Sequence, residues 1–140
     1  MPMKLIVVAI AALLAGCATS SDRAFEDMLM GDAPRKNLSA GELAAIARHP
    51  LGSAQNPVKA QGVEGEYRYL ARLRCPEDKP PVVERRGSAG EMSPYGSIMD
   101  IYEAACDAPP AFTIFVDMYH NGHVETAAVP GFKIVAPSAD

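Results

Sequence analysis

Near the end of the chain two histidines flank an Asn-Gly pair: His120, Asn121, Gly122 and His123, with Asp117, Met118 and Glu125 close on either side. Asn-Gly is the strongest short hairpin signal, because a type I′ turn needs positive φ at both central residues. Such a turn sets the register. His120 would face His123, and Met118 would face Glu125, all on one face of a two-stranded ribbon. Two opposed imidazoles bind Zn or Cu through nitrogen. A structural zinc site needs four protein ligands and a catalytic one three, however, and the remaining histidine, His49, belongs to another element. No metal and no cofactor is therefore assigned, and His120 and His123 stand as the candidate ligands.

Nucleophilic chemistry has a second set of candidates. Ser88, Ser93 and Ser97 lie in a Gly/Pro-rich stretch, and Asp117 with His120 could complete a triad. No G-x-S-x-G elbow, phosphate loop or dinucleotide fingerprint accompanies them. The chain is expected not to be an enzyme, and no catalytic residue is assigned. A third set is basic. Arg68, Arg72 and Arg74 alternate along one segment, and Arg85 and Arg86 follow in another. If the two segments pair as strands, the guanidinium groups form a strip that recognises carboxylates or wall polymer. The competing expectation is a solvated face neutralised by Glu66, Glu77 and Glu84. A net charge of −4, with no basic stripe carrying interleaved aromatics, argues against nucleic acid as a partner.

The elements that must position these groups follow from periodicity. Phe25, Met28 and Leu29 have helical spacing over Asp22 to Met30. Ser39-Ala40-Gly41-Glu42 has the form of a capping box and starts a helix that Pro50 stops near His49. Val58 to Ala60 reads as a short strand. From Tyr67 to Cys75, tyrosines and apolar residues alternate with arginines, which predicts a half-buried strand, with a helix as runner-up. Val82 to Arg86, Ile98 to Cys106 and Phe112 to Tyr119 are further strands. Gly87 to Gly96 is an irregular loop, and Val124 to Val129 is the return strand of the hairpin. Phe132 to Val135 adds a last strand. Helices first and strands after imply an α+β domain: one or two N-terminal helices, then a mostly antiparallel sheet of about five strands with a C-terminal β-hairpin.

The N-terminus carries a different signal. Lys4 precedes an apolar run from Leu5 to Leu14, which is the layout of a secretory signal peptide and too short for a lasting membrane span. Leu14-Ala15-Gly16-Cys17 at its end resembles the lipobox of bacterial lipoproteins. That resemblance implies cleavage before Cys17, diacylglycerol on its thiol and acylation of the new N-terminus, with several acyl chains holding the protein to a membrane. Ala18, in place of the Asp that favours inner-membrane retention in enterobacterial lipoproteins, implies the outer membrane, facing the periplasm. On this reading residues 1–16 are the signal peptide, 17–21 the lipidated N-terminus and tether, and 22–140 a single domain. Cys75 and Cys106 then remain as an even pair in an oxidising compartment, where a disulfide is expected. Asn56-Pro57-Val58, Leu73-Arg74-Cys75, Pro94-Tyr95-Gly96 and Asp117-Met118-Tyr119-His120 make the remainder similar to small uncharacterised proteobacterial envelope lipoproteins. The expected function is therefore a non-enzymatic binding or envelope-assembly role. The expected partners are the membrane, through the lipid anchor, and another envelope protein or a cell-wall polymer. The alternative is a small metal-binding or hydrolytic domain centred on His120 and His123.

Overall fold

A computed structural model describes residues 36–138 of the 140-residue chain. The signal peptide, Cys17 and the helix expected over Asp22 to Met30 lie outside the described residues. The domain is α+β, as its sequence pattern implies, with helices α1 (Ala40–Ile46) and α2 (Gly62–Arg72). Its strands are β1 (Val58–Lys59), β2 (Leu73–Arg74), β3 (Val82–Met92), β4 (Ile98–Ala105), β5 (Phe112–Asp117) and β6 (Lys133–Ile134). The main sheet has the order β1-β5-β4-β3. Its pairings are antiparallel except β1 with β5, which is parallel, and β2 and β6 form a separate antiparallel pair.

The capping box forms as its sequence dictates. Glu42 N donates to Ser39 Oγ at 3.3 Å, and Ser39 N donates to Glu42 Oε2 at 2.7 Å. Both ends of α1's first turn are thereby satisfied before any tertiary contact is made. The contacts from Ser39 hold the Glu42 carboxyl below its ordinary range.

Of the strand expected over Tyr67 to Cys75, only Leu73–Arg74 is strand. Tyr67 to Arg72 belongs to α2, and the buried positions Glu66, Tyr69, Leu70 and, at the helix cap, Leu73 follow the helical i, i+3, i+4, i+7 stripe, while Tyr67 is half exposed. Glu64 and Arg68 add an i, i+4 ion pair on the outer face. The tyrosine alternation is thus a by-product of a helix that buries one tyrosine and exposes the other. Tyr69, Leu70 and Leu73 join Val58, Tyr102, Ala104, Ile114 and Val116 in one hydrophobic core. In the ladder Tyr102 stands opposite Ile114 and Asp100 opposite Val116, so these four share the sheet face that α2 covers.

Two further expectations are overturned. Gly87 to Gly96 is not a loop throughout, because β3 continues to Met92 and pairs with β4 through two register shifts. Only the turn from Ser93 to Ser97 remains irregular. Val124 to Val129 is not a strand either, and the described residues form no C-terminal hairpin. Side chains satisfy its backbone instead: Tyr69 Oη donates to Ala127 O and accepts from Val129 N, Glu125 Oε1 accepts from Thr126 N and Ala127 N, and the Arg72 guanidinium donates to Glu125 O. With those groups engaged, no ladder is needed.

Cys75 and Cys106 form the expected disulfide, with Cα atoms 5.9 Å apart and a sequence separation of 31. Closing a loop of that length restricts the unfolded chain by about 3–4 kcal/mol in the chain-entropy picture. The bridge ties the exit of β2 to the end of β4.

Glu66 is the acid that α2 carries into this core. It is fully buried, its Oε2 accepts from Tyr102 Oη at 2.9 Å, and its Oε1 has no partner among the described residues. Burial pushes its carboxyl up to about 7, and the Tyr102 hydroxyl opposes that only in part. In the unfolded chain the same group ionises near its ordinary 4.5. Between those values the unfolded state gives up its proton first, so stability falls as pH rises from about 4.5 to about 7 and stays low above. Glu66→Gln should abolish this slope and raise stability at pH 8 by about 3 kcal/mol, at about 1.4 kcal/mol per pKa unit. Urea unfolding of wild type and variant at pH 5 and pH 8 measures it; parallel pH profiles would refute the assignment.

Candidate functional site

Asp117 closes β5 and lies out of phase with Ile114 and Val116, so its carboxylate points away from the hydrophobic face. It is fully buried. Two serine hydroxyls donate to its Oδ2, Ser93 at 2.6 Å and Ser97 at 2.5 Å, and Tyr119 N donates to its Oδ1 at 3.1 Å. His120 Nε2 lies 3.3 Å from Oδ2 without the alignment of a hydrogen bond. Burial by itself would raise the Asp117 carboxyl. The contacts from His120, Ser93 and Ser97 outweigh it and hold the group below the usual carboxylate range.

The tertiary structure therefore gathers Ser93, Ser97, Asp117 and His120, and leaves Ser88 apart on Arg85 and Asp100. The order of the contacts is not that of a nucleophilic triad, in which a histidine takes the proton of the serine. Here both hydroxyls point at the carboxylate, and among the described residues no hydrogen bond joins the His120 ring to either serine. What the arrangement does is hold a turn. Ser93 Oγ also accepts from Tyr95 N and Ser97 N, and Ser93 N donates to Ser97 O, so Ser93–Ser97 is stitched to itself and to β5.

The two histidines do not face each other across a ladder. His123 N donates to His120 O around Asn121-Gly122, and Gly122 alone of the two central residues has positive φ, which is the pattern of a type II turn. Met118 O and His120 N bond to Gly62 N and Ala60 O, and Gly122 N to Gln61 Oε1, so this stretch runs along the entrance to α2. His120 turns inward with Tyr95 edge-on at 4.7 Å; His123 stays near the surface with Glu125, Nε2 to Oε2 3.3 Å. The ring centroids of the histidines are 6.4 Å apart. Among the described residues, three metal-ligating groups converge only at Cys75, Glu77 and Cys106, where the two sulfurs are already bonded to each other.

The arginines do not form the expected strip, because α2 is a helix and β3 pairs with β4. Arg68 pairs with Glu64, and Arg72 donates to Val135 O and Glu125 O. Arg74 donates to Ala71 O and Leu73 O. Arg85 grips both oxygens of the buried Asp100, and Arg86 pairs with Glu84 and Glu103.

A feature that residue spacing did not disclose lies beside the stitched turn. Lys36, Ile46 and His49 from the α1 side, Ala54 and Gln55, and Glu91–Pro94 line an open depression of about 420 Å³. That is within the range of small-molecule sites. Ser93 belongs both to this wall and to the Asp117 cluster. A second cavity, beside the disulfide, measures about 90 Å³.

No family model, no curated protein and no solved structure matches the chain.

If Asp117 is the clamp for the turn, Ser93→Ala combined with Ser97→Ala should cost about 2–3 kcal/mol, since hydrogen bonds to charged groups contribute about 1.5–3 kcal/mol each and are not additive. A depressed carboxyl stabilises the fold above its unfolded pKa, and that contribution is lost as pH falls through its folded value. The double variant should therefore lose stability at higher pH than wild type on acid titration. Carboxyl ¹³C NMR of Asp117 reads the shift directly, and an unchanged titration would exclude the clamp.

Proposed function

We propose that the chain is a small membrane-anchored lipoprotein of the bacterial envelope, facing the periplasm, whose folded domain binds rather than catalyses. One observation carries the reading. The chain has three cysteines, the domain joins Cys75 to Cys106, and Cys17, which closes the lipobox-like Leu14-Ala15-Gly16-Cys17, is the one left for lipid. Eighteen residues, 18–35, separate that cysteine from the start of the described domain. The disulfide fits an oxidising compartment, and the anchor makes the membrane the first partner, with an outer-membrane position implied by Ala18.

A binding role is favoured over hydrolysis by the direction of the contacts around Asp117. The serine protons are turned toward a buried carboxylate, which uses them to hold structure. The same geometry gives less support to a metal centre at His120 and His123, since one ring is committed to the interior and the other to Glu125. Another envelope protein, a wall polymer or a small solute is the class of partner that this position makes available.

Lipidation is tested by growing a proteobacterial host expressing the full chain with an alkyne analogue of palmitate. The wild-type protein should take up the label and sediment with membranes. Cys17→Ala should lose both properties while keeping the Cys75–Cys106 bridge. An unlabelled wild-type protein in the soluble fraction would refute the anchor.

A further inference from the structure

The cavity beside α1 is built differently from the rest of the polar surface. Of the lysines in the described residues, Lys79 binds Asp107, Lys133 binds Asp78, and Lys59 lies over the Tyr95 ring. The Lys36 ammonium makes no hydrogen bond or ion pair among the described residues. Glu42, which feels its charge, is committed to the Ser39 cap.

Lys36 is nevertheless held in place. Its backbone N–H donates to Tyr95 O at 2.9 Å, and its aliphatic stem lies across Gly96, where an added Cβ would come within 3.1 Å of Lys36 Cγ. Gly96 has φ +91°, so both its backbone angle and the passage of the lysine stem require glycine. The turn that carries Gly96 is the one clamped to Asp117. The buried carboxylate thereby fixes, through Ser93 and Ser97, both the wall of the depression and the residue over which the Lys36 stem lies.

Three more polar side chains around the cavity, the His49 ring, the Gln55 amide and the Glu91 carboxylate, make no hydrogen bond among the described residues. Ile46, Ala54, Met92 and Pro94 supply apolar wall, and Met92 is more than half exposed. An open concavity with apolar walls and a few polar groups uncommitted among the described residues has the composition of a small-molecule site. Its cationic group selects an anion, and the flexible thioether of Met92 adapts to an apolar body. Glu91 on the same wall repels a second negative charge.

We propose that this cavity binds a small monocarboxylic acid, its carboxylate on Lys36 and His49 and its apolar body against Ile46, Met92 and Pro94. The inference rests on the reading of the domain as a binding module and names the ligand class for it.

The test uses the purified full-length protein labelled with [¹³C-methyl]methionine, with the Met92 signal assigned by its absence in Met92→Leu. Isovalerate should shift the Met92 methyl saturably. Isovaleramide, which has the same shape without the charge, should bind at least tenfold more weakly. Lys36→Gln should weaken isovalerate by a similar factor with an unchanged melting temperature, and Lys133→Gln should leave it unaffected. The absence of a saturable Met92 shift, equal binding of acid and amide, or full affinity in Lys36→Gln would each overturn the proposal. Palmitate labelling reads the anchor and not the cavity, so the two readings fail independently.

Discussion

The carboxylate of Asp117 is the group on which the arrangement of this domain turns. A buried charge is costly unless it is paired and hydrogen-bonded. Asp117 meets that requirement with two hydroxyls, one backbone N–H and a neighbouring imidazole. Each donor comes from a place the chain must then occupy. Ser93 and Ser97 must lie at the end of β5, so β3 and β4 must be joined by a tight turn there. Tyr119 and His120 must fold back over β5's last residue, which sends the following chain along Ala60–Gly62 rather than into a hairpin. The backbone oxygen of Asp117 also accepts from Ala60 N, so the same residue joins the parallel strand β1 to the sheet.

A second organising device is α2. Its inner face supplies core side chains, and it also supplies Tyr69 and Arg72, whose polar ends bond to the backbone around Glu125, Ala127 and Val129. The helix therefore replaces a missing strand. It also carries Glu66 into the core, where Tyr102 meets one carboxyl oxygen and, among the described residues, nothing meets the other. The two buried carboxyls thus behave in opposite ways. Asp117 has enough donors to stay ionised, whereas Glu66 has one and is pushed toward its neutral form.

Wherever a signal was local, it was legible in the sequence. The capping box at Ser39 and Glu42, the cores of β4 and β5, and the pairing of Cys75 with Cys106 follow from cap chemistry, strand pattern and cysteine count. Two errors share one cause. Tyr67 to Cys75 reads equally well with period 2 and with the helical stripe Glu66, Tyr69, Leu70, Leu73, and only packing against Tyr102 and Val116 selects the helix. Had the stripe been preferred, Glu66 would have stood out as an acid on an apolar face. Asn121-Gly122 signals a turn, and a turn is present, but the sequence does not encode that Tyr69 and Arg72 occupy the backbone groups that a returning strand would use. Ser93, Ser97, Asp117 and His120 were visible as residue types; the direction in which their protons point was not.

The sequence by itself determined the elements whose stabilising contacts lie within a few residues, because capping and alternation are short-range. Only the tertiary structure decided which polar groups are buried, which arginines are already paired, and where a depression opens beside Lys36. The physical reason is that these depend on desolvation and on partners far apart in sequence: Ser93 reaches Asp117 across 24 residues, and Tyr69 reaches Ala127 across 58.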